Sequence, residues 1–124
     1  MTDKLNLRPN LEIPILETSS AEELFQNQTL RPILKMQNET FLMFFGQYSK
    51  KQNVNFAELS LEKKLIFVEK SLQNDSVLKN TLIGIVIGMF TPTELEIYLE
   101  KGKDFNKRIM AMLTERIKSQ IDLL

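Results

Sequence analysis

The chain contains no histidine, no cysteine and no tryptophan. The first absence removes the side chain that most often exchanges protons near neutral pH. The second removes the thiolate nucleophile and every disulfide, and both together remove the strongest transition-metal ligands. Chemistry is left to carboxylates, amines, phenols and hydroxyls, and the serines have no imidazole to activate them. Excess charge is also missing: 16 basic residues balance 16 acidic ones, so no global field gathers nucleic acid or an anionic membrane. The longest apolar run, residues 81–90, is too short to span a bilayer, and the opening Met1-Thr2-Asp3-Lys4-Leu5-Asn6 lacks the apolar core of a signal peptide. A cytoplasmic location is the expectation, and the lack of cysteine agrees with it.

What is present reads as one compact domain, since 124 residues with 43% hydrophobic content suit a single core. Residues 1–18 differ from residues 19–124. In the first stretch Leu5, Leu7, Leu11, Ile13 and Ile15 fall at odd positions while Pro9 and Pro14 oppose helix formation. This predicts an extended arm, laid over the chain's own core or exchanged with a second subunit.

In the second stretch helical spacing predicts an all-α bundle of five to six helices. Ser19 or Ser20 starts a helix that reaches about Asn27, and Pro32 marks a break with a new cap near Thr29. The helix beyond it, with the face Leu34, Phe41, Phe44 or Phe45, and Tyr48, is expected to be the central one. Ser60 caps a third helix whose seam is Leu61, Leu65, Val68 and Leu72. Segment 78–90 follows the turn Asn74-Asp75-Ser76 and is apolar all round; a lone strand would have no partner, so it is assigned as helix. Gly84 and Gly88, four apart, predict close backbone approach by a neighbour. Thr91-Pro92-Thr93-Glu94 is a capping box with proline at the first helical position. Its helix carries Leu95, Tyr98 and Leu99 to a break near Gly102. Asp104 then caps a last helix bearing Phe105, Ile109, Met112 or Leu113, Ile117 and Ile121.

Polar residues that interrupt the apolar stripes are the candidate site: Arg31, Gln37 and Asn38 on the central helix, Arg116 and Gln120 on the last. Buried amides and guanidinium groups need partners, which predicts a polar cluster where these helices meet. Such a cluster is either a structural network or a pocket in which Arg31 or Arg116 holds a carboxylate or phosphate while Gln37 and Asn38 orient it. The carboxylates offer less. Glu94 and Glu96 point to different sides of their helix, Glu22 and Glu23 read as solvated, and no paired acids or regular acidic loop suggest a metal or other cofactor. The methionines read as core filler that also suits an adaptable interface. Residues 101–118 carry Lys101, Lys103, Lys107, Arg108, Arg116 and Lys118 against Asp104 and Glu115. Without interleaved aromatics or a helix-turn-helix signature, this run reads as a solvated basic flank and not as a nucleic-acid site.

The stretches Phe25-Gln26-Asn27, Thr29-Leu30-Arg31-Pro32-Ile33-Leu34-Lys35, Leu59-Ser60-Leu61-Glu62-Lys63, Gly88 to Thr91, and Asn106-Lys107-Arg108 with Glu115-Arg116 resemble a family of short bacterial proteins, some of which carry the label "glyoxalase". The resemblance spans residues 20–124 and implies a helical fold. The residues do not support the label, because metal-dependent glyoxalases use histidine and glutamate ligands and the cofactor-free type uses a reactive cysteine. The expected function is a non-enzymatic helical interaction module that pairs with itself or with another protein. The alternative is a small-ligand binder or enzyme built on the polar cluster. An exposed apolar groove favours the first, an enclosed polar cavity the second.

Overall fold

The computed structural model describes Leu7, Arg8 and residues 20–124. Apart from Leu7 and Arg8, the arm expected over residues 1–18 lies outside the described residues, as does Ser19. Among the described residues every regular element is helical, and six helices build an all-α bundle.

The first helix, α1, spans residues 21–36. Ser20 opens it, its hydroxyl accepting the Glu23 N–H at 3.1 Å, and Glu22 and Glu23 occupy the first turn where the helix dipole favours anions. The break expected before Pro32 does not occur. The backbone stays helical from Ala21–Phe25 through a π-helical turn, Gln26–Leu30, into Arg31–Met36. Proline has no N–H to give, and its ring crowds the carbonyl four residues back; the wider π turn makes room for it. Thr29 is accordingly no cap. The interruption comes instead at Gln37, with φ −93° and ψ 14°.

Helix α2, Asn38–Lys51, buries Phe41 and Phe45 and leaves Phe44 exposed, which settles the choice between the two adjacent phenylalanines. Ser60 caps α3, Leu61–Asn74, by accepting the Lys63 N–H. The seam of α3 is shorter than expected: Leu61 is 62% exposed, whereas Val68 and Leu72 are buried, so the bundle does not reach the helix's first turn. Asp75 caps α4, Ser76–Ile87, through the Leu78 N–H at 3.0 Å, and Leu78, Leu82, Ile83 and Val86 enter the core. The helical assignment of segment 78–90 holds as far as Ile87. Its glycines do not do what their spacing suggests. A Cβ on Gly84 would meet nothing within 4 Å, and one on Gly88 would meet only carbonyls of its own helix, the Gly84 and Ile85 oxygens at 3.4 and 3.6 Å.

The capping box at Thr91 is complete, with Thr91 Oγ1 accepting the Glu94 N–H and Glu94 Oε1 accepting the Thr91 N–H. It starts α5, Pro92–Glu100. A bend at Lys101 leads directly into α6, Gly102–Ser119, so Asp104 lies in the first turn of α6 and does not cap it. Phe105, Ile109, Leu113 and Ile117 form the buried stripe of α6 at the helical period, with Leu113 and not Met112 facing inward. This last helix is the hub of the bundle in place of α2, since it packs against α3, α4 and α5. Helix α1 closes on it through Phe25, whose ring lies 4.6 Å from Phe105 and 5.5 Å from Phe90. Helix α2 joins through Phe45, stacked edge-on to Phe56 and Phe67. Among the described residues no helix is long and apolar enough to cross a membrane.

Candidate functional site

One face of α6 escapes burial in an ordered way. Residues 108, 112 and 116 run parallel to the buried stripe 109, 113 and 117, about 100° round the helix. Against this face α1 presents Gln26, Arg31 and Leu34, and between the two helices opens a groove of about 590 Å³. Leu34, Ala111 and Met112 make an apolar floor; Arg31, Arg108 and Arg116 supply three guanidinium groups, and Glu115 a single carboxylate. Gln26 and Arg31 reach the same groove because of the π turn. Five residues apart in an α-helix lie about 140° apart, whereas a π turn closes on that interval, and the Arg31 N–H donates to the Gln26 carbonyl.

Each arginine is braced by a neutral amide. Arg108 Nη1 donates to Gln26 Oε1 at 2.8 Å, and Arg31 Nε to Asn27 Oδ1 at 2.9 Å. Arg116 Nη1 stands 3.5 Å from Asn38 Oδ1. Asn38 and Gln120 pair reciprocally, Asn38 Nδ2 donating to Gln120 Oε1 at 2.6 Å and Gln120 Nε2 donating back at 2.7 Å. Gln120 Nε2 also donates to the Arg116 carbonyl at 3.1 Å. The amides thus hold Arg108 and Arg31, and stand at longer range from Arg116, without neutralising any of the three. Among the described residues the ion pairs are Arg8 with Glu94, Lys101 with Glu22 and Lys118 with Glu69, and none involves a groove arginine. Burial, with the nearby Arg31 charge added, pushes the Arg116 guanidinium below its ordinary pKa.

Of the five residues expected to form the cluster, Arg31, Asn38, Arg116 and Gln120 gather around this groove and its end. Gln37 does not. It lies at the bend between α1 and α2, where its Oε1 accepts the Thr40 hydroxyl at 3.0 Å. The bend ends the continuous helix on which Gln37 would have shared a seam with Leu34 and Phe41. Sequence reading missed Gln26, whose place depends on the π turn, and left Arg108 within a solvated flank. That basic flank is in fact divided: Lys101 and Lys118 pair with carboxylates, while Arg108 and Arg116 enter the groove.

A second polar centre was not anticipated. Arg8 grips Glu94 through both terminal nitrogens, each at 2.7 Å, and Arg8 Nη2 also donates to the Met89 carbonyl. The Thr29 hydroxyl donates to Glu94 Oε2 at 3.1 Å. The side chains of Arg8 and Glu94 are 5% and 13% exposed. Burial alone would raise the Glu94 pKa, but hydrogen bonds from Arg8, the Thr91 amide and Thr29, with the Arg8 charge, outweigh it and hold the carboxyl below its usual range. Glu94 therefore faces inward, and its charge is matched by Arg8, although among the described residues Arg8 Nε is buried without a hydrogen-bond partner. Among the described residues no group of three or more acidic side chains is placed to hold a metal ion.

Comparison with family models, with curated proteins and with solved structures finds no match to this chain.

Proposed function

We propose that this protein is a non-catalytic helical interaction module, and that the groove between α1 and α6 is the surface with which it holds another protein. The observation that carries this reading is the trio Arg31, Arg108 and Arg116, set beside neutral amides and unpaired with any carboxylate among the described residues, around an apolar floor. Arginines beside apolar surface are the common anchors of protein interfaces. The groove is open to solvent and not an enclosed cavity, which favours a polypeptide over a small molecule. On this reading the protein works in the cytoplasm, with neither a membrane nor nucleic acid as its target.

The test is native mass spectrometry of the wild-type chain and an R31Q/R108Q/R116Q variant, each purified gently from the protein's own host. A defined partner polypeptide, bound by the wild type and lost from a variant of unchanged helicity, is expected. Retention of that partner by the variant overturns the reading, as does a small-molecule adduct as the sole bound species. So does a homodimer that survives the three substitutions.

A further inference from the structure

We infer that the groove recognises an acidic segment of its partner, one that places two carboxylates about 12 Å apart with apolar residues between them. This inference rests on the interaction reading above and names the chemistry of the partner.

The spacing follows from α6. Arg108 and Arg116 are eight residues apart on one helix, which at about 1.5 Å per residue separates them by about 12 Å. Between them lie Ala111 and Met112, with Leu34 facing them from α1 and Glu115 next to Arg116. The groove is therefore cationic at both ends and greasy in the middle. An extended peptide covers 12 Å in about four residues, and a helix in about eight. Two acidic residues at either interval, around a leucine-like side chain, would meet a guanidinium at each end and the apolar floor at the centre.

Three features favour carboxylates. A guanidinium fork matches a carboxylate in two parallel hydrogen bonds, and here Arg108 is already oriented by Gln26 and Arg31 by Asn27, which lowers the freedom lost on binding. Arg31 and Arg116 stand near one another while Arg108 lies about 12 Å along α6, so a single phosphate at one end would leave Arg108 without a counter-charge. The apolar floor opposes a continuous polyphosphate chain, which offers no apolar group to cover it. The π turn that makes room for Pro32 also sets Gln26 beside Arg31.

The experiment measures fluorescence anisotropy of labelled alanine- and leucine-based peptides, about twelve residues long, against the full chain. Each carries two glutamates, at separations stepped from two to nine positions, with glutamine-substituted peptides as controls. Binding is expected to peak at a separation of four, or of seven to eight. It should weaken about tenfold when either glutamate becomes glutamine, and by a similar factor for R108Q or R116Q. Arg116→Lys, which keeps the charge and loses the fork, should fall between wild type and R116Q. Binding that ignores the separation, or equal binding of the glutamine peptides, overturns the inference. Displacement of the best peptide by inorganic phosphate or by a short single-stranded oligonucleotide at lower concentration than by unlabelled peptide overturns it as well. If no acidic peptide binds while the arginine variant still loses its partner in the native spectrum, the acidic-segment inference falls and the interaction reading stands. If the variant keeps its partner, the interaction reading falls too.

Discussion

Arg8 on the α5 cap and Arg116 in the α1–α6 groove are both partly shielded, yet their surroundings differ in charge balance. Arg8 meets a carboxylate with both terminal nitrogens and a carbonyl besides, and its partner Glu94 is itself saturated by Thr29 and the Thr91 amide. Arg116 meets one amide oxygen at long range, faces a second arginine, and has no carboxylate within ion-pair distance among the described residues. Removing water from a charge is costly unless an opposite charge replaces it, so the charge of Arg8 is compensated within the fold, even with its Nε left unpaired among the described residues, and that of Arg116 is not. Geometry that holds a cation while leaving it uncompensated suits an external anion; geometry that compensates it suits the fold.

The largest effect should separate the two centres directly. Glu94→Ala leaves Arg8 buried without its counter-charge and also opens the capping box, so it should cost about 3 kcal/mol or more in urea unfolding. The same measurement should also show an acid-sensitive slope. Because the folded Glu94 pKa lies below that of the unfolded chain, its stabilisation is full above the unfolded value of about 4.3 and is lost as pH falls through the folded value. Glu94→Gln should flatten that part of the curve, whereas R116Q should leave it unchanged. A curve that E94Q leaves intact would show that the node does not set acid stability.

A middle-sized effect belongs to the amides that brace the groove. Asn38→Ala strips Gln120 of its reciprocal partner and frees Arg116, and should lower stability by about 1 kcal/mol. It should also weaken binding of the best acidic peptide, which a purely structural pair would leave alone. The smallest effect is expected at the arginines themselves. R116Q should shift unfolding by no more than about 0.5 kcal/mol, because it removes a desolvated charge that also repels Arg31. A loss as large as that of Glu94→Ala would erase the contrast between the centres and make the groove structural.

Much of the fold was legible because its signals are local. Ser20, Ser60, Asp75 and Thr91 all cap where a short polar residue precedes an apolar-periodic run. The stripe Phe105, Ile109, Leu113 and Ile117 repeats every four residues, close to one helical turn, and is buried accordingly. The polar cluster was legible in part for the same reason, since Arg116 and Gln120 interrupt or extend such stripes. Leu61 and the Gly84–Gly88 pair misled because a residue's position on a face does not say whether a neighbour covers that part of the face.

The sequence by itself determined most of the helices, the caps at Ser20, Ser60, Asp75 and Thr91 and much of the apolar faces, because these depend on residues within four or five positions of one another. Tertiary structure alone decided which arginine is neutralised. Arg8 finds Glu94 across 86 residues, Arg108 finds Gln26 across 82, and Asn38 finds Gln120 across 82. No local pattern encodes those distances. They follow from how the helices pack around α6 and from the π turn that lets α1 continue past Pro32, and together these leave three cations open at one groove.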